Sequence, residues 1–348
     1  MNPRTLRRLV LLAIGLGVGS VVSPPGLASA DASTDWLASI DGLLSGSALP
    51  APSSGIDLAI SYDGYSLVHQ GTAVANTVSG EYGLAIAEGS GAYAYAGGGT
   101  GDIAEAEGTN AFALAGGEPG DTGGDYDTAI DIGNNDLPST AANDGAYAGN
   151  GDLGGGTGIG AHDTAIDIGN NTNDVTEGIG GNDGAFAGAG GLVGDAGDGN
   201  NDFAIDFGNN SGEADGADAF GGNGNYASDL GSMTGYSEGA YAGLGNSNTA
   251  VADTSYTETY GGVYAVNGDD NTAFVVGPEN SYAAAYNGDS DSSYVVDPFG
   301  STTSFAETGY GSNSDLAAVL FADGGTAAVN ANDLYDILTA LGPAGGTF

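Results

Sequence analysis

Across 348 residues the chain carries 45 Asp and Glu against three Lys and Arg, for a net charge of −42, with 67 Gly and no Cys. A field of that sign repels nucleic acid and anionic lipid, and it favours cations and basic surfaces as partners. The missing cysteines exclude a disulfide framework, so any fold must rest on hydrogen bonds and apolar contacts spread over many residues.

All three cations, Arg4, Arg7 and Arg8, precede an apolar run from Leu9 to Val22, and the small-residue site Ala28-Ser29-Ala30 stands before Asp31. This is the three-part pattern of a secretory signal over residues 1–30, and its apolar run is too short to span a bilayer. Cleavage after Ala30 would remove every Lys and Arg and leave all 45 acids, taking the charge from −42 to −45. The expected product is secreted or held in the cell envelope, with no membrane span once the signal is gone. Residues 31–55 then read as an N-terminal helix and linker. Trp36, Leu37, Ile40, Leu43 and Leu44 share one side of a helix over 34–44, and a Pro and Ser break follows at 50–54.

From 56 to 330 the chain repeats itself. Asp127 to Asn135 reads DTAIDIGNN, Asp163 to Asn171 reads the same letters, and Asp202 to Asn210 reads DFAIDFGNN, at offsets of 36 and 39. Between them fall NDGAYAG (143–149) and NDGAFAG (182–188), with EGAYAG at 238–243. One repeat therefore holds two strand-like stretches, which predicts roughly 18–20 residues for a single turn of chain and about 10 Å between equivalent Asp residues. On either side the beat is faster, with AYAYAG, IAEAEG and AFALAG before the repeats and TAFVVG, YAAAY and SYVVD after them. Period-two alternation bounded by Gly, Asn, Asp or Ser is the mark of short strands joined by tight turns.

Hydrophobicity assigns the faces of DTAIDIGNN. Thr128, Ile130 and Ile132 fall on one side and are expected to form the core, with Ile166, Ile168, Phe203, Ile205 and Phe207 in the later copies. Asp131, Asp167 and Asp206 are expected to point outward. The Asn pair after each Gly is expected to turn the corner in left-handed backbone and to bond between rungs. Residues 116–126 and 211–239 break the register and read as loops. At 331–348, Leu334, Ile337, Leu338 and Leu341 have helical spacing, Asn332 caps the start and Gly342-Pro343 stops it, which predicts a C-terminal capping helix and tail.

Chemistry is thinly supplied. There is no cysteine, no Lys or Arg after Arg8, and His69 and His162 stand far apart without a GxSxG nucleophile motif. No residue is singled out as catalytic, no cofactor is expected, and the GxGxxG-like spacings of Gly151 to Gly160 follow from glycine content alone. Calcium is the alternative. Asp, Asn and Gly offer oxygen ligands and permissive turns, GDGNND at 197–202 is similar to a calcium nonapeptide, and Asp127, Asp163 or Asp202 are the candidate ligands. Paired carboxylates keep a third reading open, a polysaccharide-active solenoid enzyme.

The GNN and NDGA units, the GAYAG runs and the stretch from Asp315 to Gly324 resemble the exported Gly/Ala/Asn-rich repeat proteins of mycobacteria and related actinobacteria, PGRS-like in composition and without a PE domain. That resemblance implies a secreted or cell-surface protein and transfers no catalytic residue. The expectation is an all-β repeat protein, a β-solenoid or β-roll of short stacked strands with short terminal helices as caps, acting as a non-enzymatic structural or interaction protein of the cell surface.

Overall fold

The computed structural model describes residues 57–117, 123–135, 145–150, 160–173, 184–189, 199–212 and 214–230, and beyond these a series of shorter stretches, most of them strands, as far as residue 341. Every regular element among the described residues is a strand. The strands lie within one compact unit, Ile56–Phe348, and form two principal sheets, of thirteen and eleven strands. From Val74–Thr77 to Ala217–Phe220 almost every run of alternating residues enters one sheet and the next run enters the other. One coil thus contributes one strand to each, the arrangement of a β-solenoid.

Coils pair in parallel and stack like on like. Ala165 lies between Ala129 and Ala204, and Asp167 lies between Asp131 and Asp206. A coil takes 19 residues from Leu84 to Ile103, 36 from Thr128 to Thr164, 39 from Thr164 to Phe203 and 23 from Phe203 to Tyr226. The expected turn of 18–20 residues holds in the first flank, at 19 from Val74 to Tyr93 and again from Tyr93 to Phe112, whereas the coils after Phe203 take 20–24. In the middle, one whole repeat is a single coil, not two, so equivalent Asp residues sit on adjacent strands at about 4.8 Å rather than 10 Å.

The faces are the reverse of the hydrophobic assignment. Ala129, Ala165 and Ala204 and also Asp131, Asp167 and Asp206 are 0% exposed, whereas Thr128, Ile130 and Ile132 are only half-buried on the outside. The cause is width. Alanine fills the space between the sheets from Ala59 to Ala283, with an occasional valine such as Val263 or Val275. A core lined by single methyl groups brings the sheets too close for Ile or Phe, so the larger side chains stand outside. Each coil adds a small apolar increment, roughly 0.8 kcal/mol per buried carbon, repeated along the stack.

The ends also differ from expectation. At the start, Leu58–Tyr62 and Tyr65–Gln70 form an antiparallel hairpin turned by Asp63 and Gly64, both at positive φ. The hairpin's second strand is the first edge of the long sheet. The predicted helix at 34–44 lies outside the described residues. At the other end, Ile337–Leu341 is not helical but pairs in parallel with Leu316–Phe321. Unpaired N–H and C=O groups along that edge favour a further strand over the local helical spacing. The stretch 211–239 is not a loop either: it contains Ala217–Phe220 and Tyr226–Asp229, which join the short and long sheets. Within 116–126, Gly116 and Gly117 end a strand, and 123–126 lead into the next.

Candidate functional site

Three of the sequence-predicted residues are brought into one structure. Asp127, Asp163 and Asp202 enter their strands one above another inside the solenoid, continuing a column that begins at Asp102 and runs on through Asn225, Asn248, Asn271 and Asp291. Each side chain accepts, through Oδ1, the backbone N–H of the column residue in the next coil. The distances are 3.1 Å from Asp127 N to Asp102, 2.9 Å from Asp163 N to Asp127, 2.8 Å from Asp202 N to Asp163 and 2.7 Å from Asn225 N to Asp202. The asparagines repeat the bond at 3.0, 3.0 and 2.9 Å, ending on Asp291 N. The column thus takes up donors that the narrow corner would otherwise leave unpaired.

The residue before each column member carries the turn. Gly101, Tyr126, His162, Asn201, Gly224, Ser247, Asp270 and Ser290 all have positive φ. Left-handed backbone costs a non-glycine residue about 1–2 kcal/mol, and the column's buried bonds offset it. This corrects the place expected for the Asn pairs, because Asn170 and Asn171 lie within the strand Thr164–Asn173. Their second members turn inward: Asn135 Nδ2 donates to Asp131 Oδ2 at 3.0 Å and Asn171 Nδ2 to Asp167 Oδ2 at 2.6 Å. Their first members are exposed and bond between coils, Asn134 Nδ2 to Asn170 Oδ1 at 2.9 Å.

Burial sets the protonation of the four aspartates. Desolvation is the largest cause in each case, raising Asp102 and Asp202 to about 7, Asp127 to about 8 and Asp163 to about 9. Repulsion from Asp127 adds to the rise at Asp163, and backbone donors partly oppose it. The buried Oδ2 atoms of these four have no hydrogen-bond partner among the described residues. Two of them lie against the opposite sheet at Gly149 and Gly188, where a Cβ would run into Asp127 Oδ2 and Asp163 Oδ2.

This geometry is poor for calcium, which takes six to eight oxygens at about 2.3–2.6 Å. The column offers one such oxygen per coil, with coils about 4.8 Å apart, and no group of three or more acids or histidines among the described residues is disposed to hold a metal. The first part of GDGNND and the glycine stretch 151–159 lie outside the described residues. Neighbouring carboxylates stand at a separation similar to that of a retaining glycosidase pair, about 5 Å, but Asp127, Asp131, Asp163 and Asp167 are 0% exposed, beyond the reach of a polymer. His69 is exposed on the hairpin, five strand spacings or roughly 24 Å along the sheet from His162. His162 is exposed at the corner with its ring 5.3 Å from that of Tyr126.

Sequence reasoning missed Asp102, Asn225, Asn248 and Asn271. The signal was present as Asp or Asn two residues before Ala, in DIA, NYA, NTA and NTA. These triplets lie outside the runs of identical letters.

Outside the solenoid, the two sheets present different surfaces. On the short sheet Tyr93, Phe112, Tyr147 and Phe186 stack with ring centroids 5.2, 5.0 and 4.5 Å apart, and Tyr147 is only 1% exposed. On the long sheet, rows such as Ile130, Ile166 and Ile205 remain half-buried, Phe203 and Tyr226 stack at 5.4 Å, and Phe207 and Tyr226 are exposed. No family model, no curated protein and no solved structure matches the chain.

Proposed function

We propose that this is an exported, non-enzymatic structural or interaction protein of the cell surface, in which the solenoid is a scaffold and the outer face of the long sheet is the working surface. The observation that carries this reading is the placement of charge. From Thr128–Gly133 to Tyr226–Asp229 every acid of the long sheet's alternating positions turns inward, to Asp131, Asp167, Asp206 and Asp229, and Thr, Ile, Phe and Tyr are left outside. Carboxylates used for catalysis or for capturing a soluble cation need access to solvent, and these have none. The signal-like residues 1–30 and the resemblance to exported actinobacterial repeat proteins support the location.

Far-UV circular dichroism in EDTA and then in millimolar calcium tests the reading. A strong β spectrum in both solutions supports an autonomous scaffold. A coil that orders only with calcium would make the chain a calcium-dependent surface module instead. Mass spectrometry of the exported protein tests the location, with Asp31 as the expected first residue.

A further inference from the structure

The outer face of the long sheet is uncharged over a span that the overall composition makes improbable. Among the described outward side chains of the long sheet from Thr128 to Ala318 none is acidic, in a chain of net charge −42. The equivalent face of the short sheet is not available in the same way, since Phe112, Tyr147 and Phe186 are already buried.

We propose that two copies of this chain pair face to face through this surface, from the strand Thr128–Gly133 to the strand Leu316–Phe321. The inference rests on the scaffold reading and names its partner. Charge argues for it first. A basic partner would find no carboxylate on the face, so the complementary surface must itself be apolar and uncharged, and a second copy supplies one. Shape argues next. In-register parallel strands give ridges at one constant spacing, and two such faces pack about 10 Å apart with their rows interleaved. A twofold axis makes this contact self-complementary. Area is the third argument. The span holds eight strands of the long sheet, at about 4.8 Å each and about 18 Å of strand length, or roughly 700 Å². A standard interface buries about 800 Å² per partner. The exposed acids Asp125, Asp269 and Asp270 lie at the corner that leads into these strands. They face like charges on the partner, so added salt tightens the pair by screening them.

Sedimentation velocity across a concentration series, with circular dichroism on the same samples, tests the proposal. The expected result is a β-rich species of twice the monomer mass, favoured by concentration and by 0.5 M over 0.02 M salt. Replacing Ile166→Glu and Ile205→Glu together should weaken pairing at least tenfold and leave the spectrum unchanged. Glutamate suits outward positions here, because Glu105 and Glu107 already stand beside Ile130 and Ile132. A nitroxide on Thr164→Cys, clean to attach in a cysteine-free chain, should lose access to an aqueous relaxation agent as concentration rises, and one on the exposed Ser66→Cys should not. A folded monomer at every concentration overturns the pairing and leaves the scaffold reading standing. So does a dimer indifferent to the two glutamates and to concentration at Thr164. A monomer that floats with phosphatidylcholine vesicles gives the face to lipid and overturns the pairing as well. A coil spectrum in all conditions overturns both.

Discussion

From Asp102 to Asp202 the inner column is aspartate, and from Asn225 to Asn271 the same position is asparagine. The two regions share backbone geometry, burial and the bond from Oδ1 to the next coil, at 2.7–3.1 Å throughout. They differ in whether the residue can ionise. Asparagine shows that the fold needs only the neutral acceptor. The aspartate half meets that need by holding its acids protonated, with values raised to between about 7 and about 9 by burial. One half of the solenoid is therefore coupled to pH through its interior, and the other half lacks that coupling along the column.

The two halves should differ most in their response to pH. An unburied Asp has a value of 3.8, so between about pH 4 and pH 9 the folded column holds protons that the unfolded chain has released. The stabilisation is complete below the unfolded value and is lost as pH rises through the folded values. At about 1.4 kcal/mol per unit, the loss amounts to several kcal/mol for each of the four aspartates, on the order of tens of degrees in Tm for the column as a whole. Calorimetry from pH 4 to pH 9 should find the melting temperature falling steadily; a temperature that rises over that range would show the column to be ionised in the native state.

Asp163→Asn sharpens the contrast, since it turns one member of the acidic half into the residue used by the other. Chemical denaturation should find it more stable than the parent by about 5 kcal/mol at pH 8 and nearly neutral at pH 4. Equal gains at both values would mean that packing, not the proton, distinguishes the two residues. The reverse exchange, Asn248→Asp, should import the coupling. It costs about 1 kcal/mol at pH 4, where the bond from Asn248 Nδ2 to Gly243 O at 3.1 Å is lost. The cost should grow to about 3 kcal/mol at pH 8. The smallest effect is expected at the exposed ladder, where Asn134→Ala should change stability by no more than about 0.5 kcal/mol at either pH; a larger loss would give the outer amides a structural weight comparable to that of the buried column.

The candidate site was half legible in the sequence. Asp127, Asp163 and Asp202 stand out because identical letters surround them, and the sequence offers them only as candidate ligands of a calcium alternative, whereas they are buried acceptors. The Tyr126 and His162 corner was illegible, because nothing in those side chains announces a left-handed backbone. It is imposed by the coil that must close there. The strand at Ile337–Leu341 was read as a helix for a related reason, since helical spacing is a local signal and an unsatisfied sheet edge is not.

That the chain is built of short strands in recurring coils follows from its residues alone, because alternation and punctuation by Gly, Asn and Asp are local properties of a strand and its turns. Tertiary structure decided which face of each strand is inside. Hydrophobicity chooses Ile over Asp one residue at a time, but two sheets held apart by single methyl groups exclude Ile on volume and accept Asp once its carboxyl meets a backbone N–H of a neighbouring coil, as Asp131 Oδ2 meets that of Phe112 at 2.6 Å. Only the stacked coil places that N–H, so only the stacked coil makes burial of the acid the lower-energy choice.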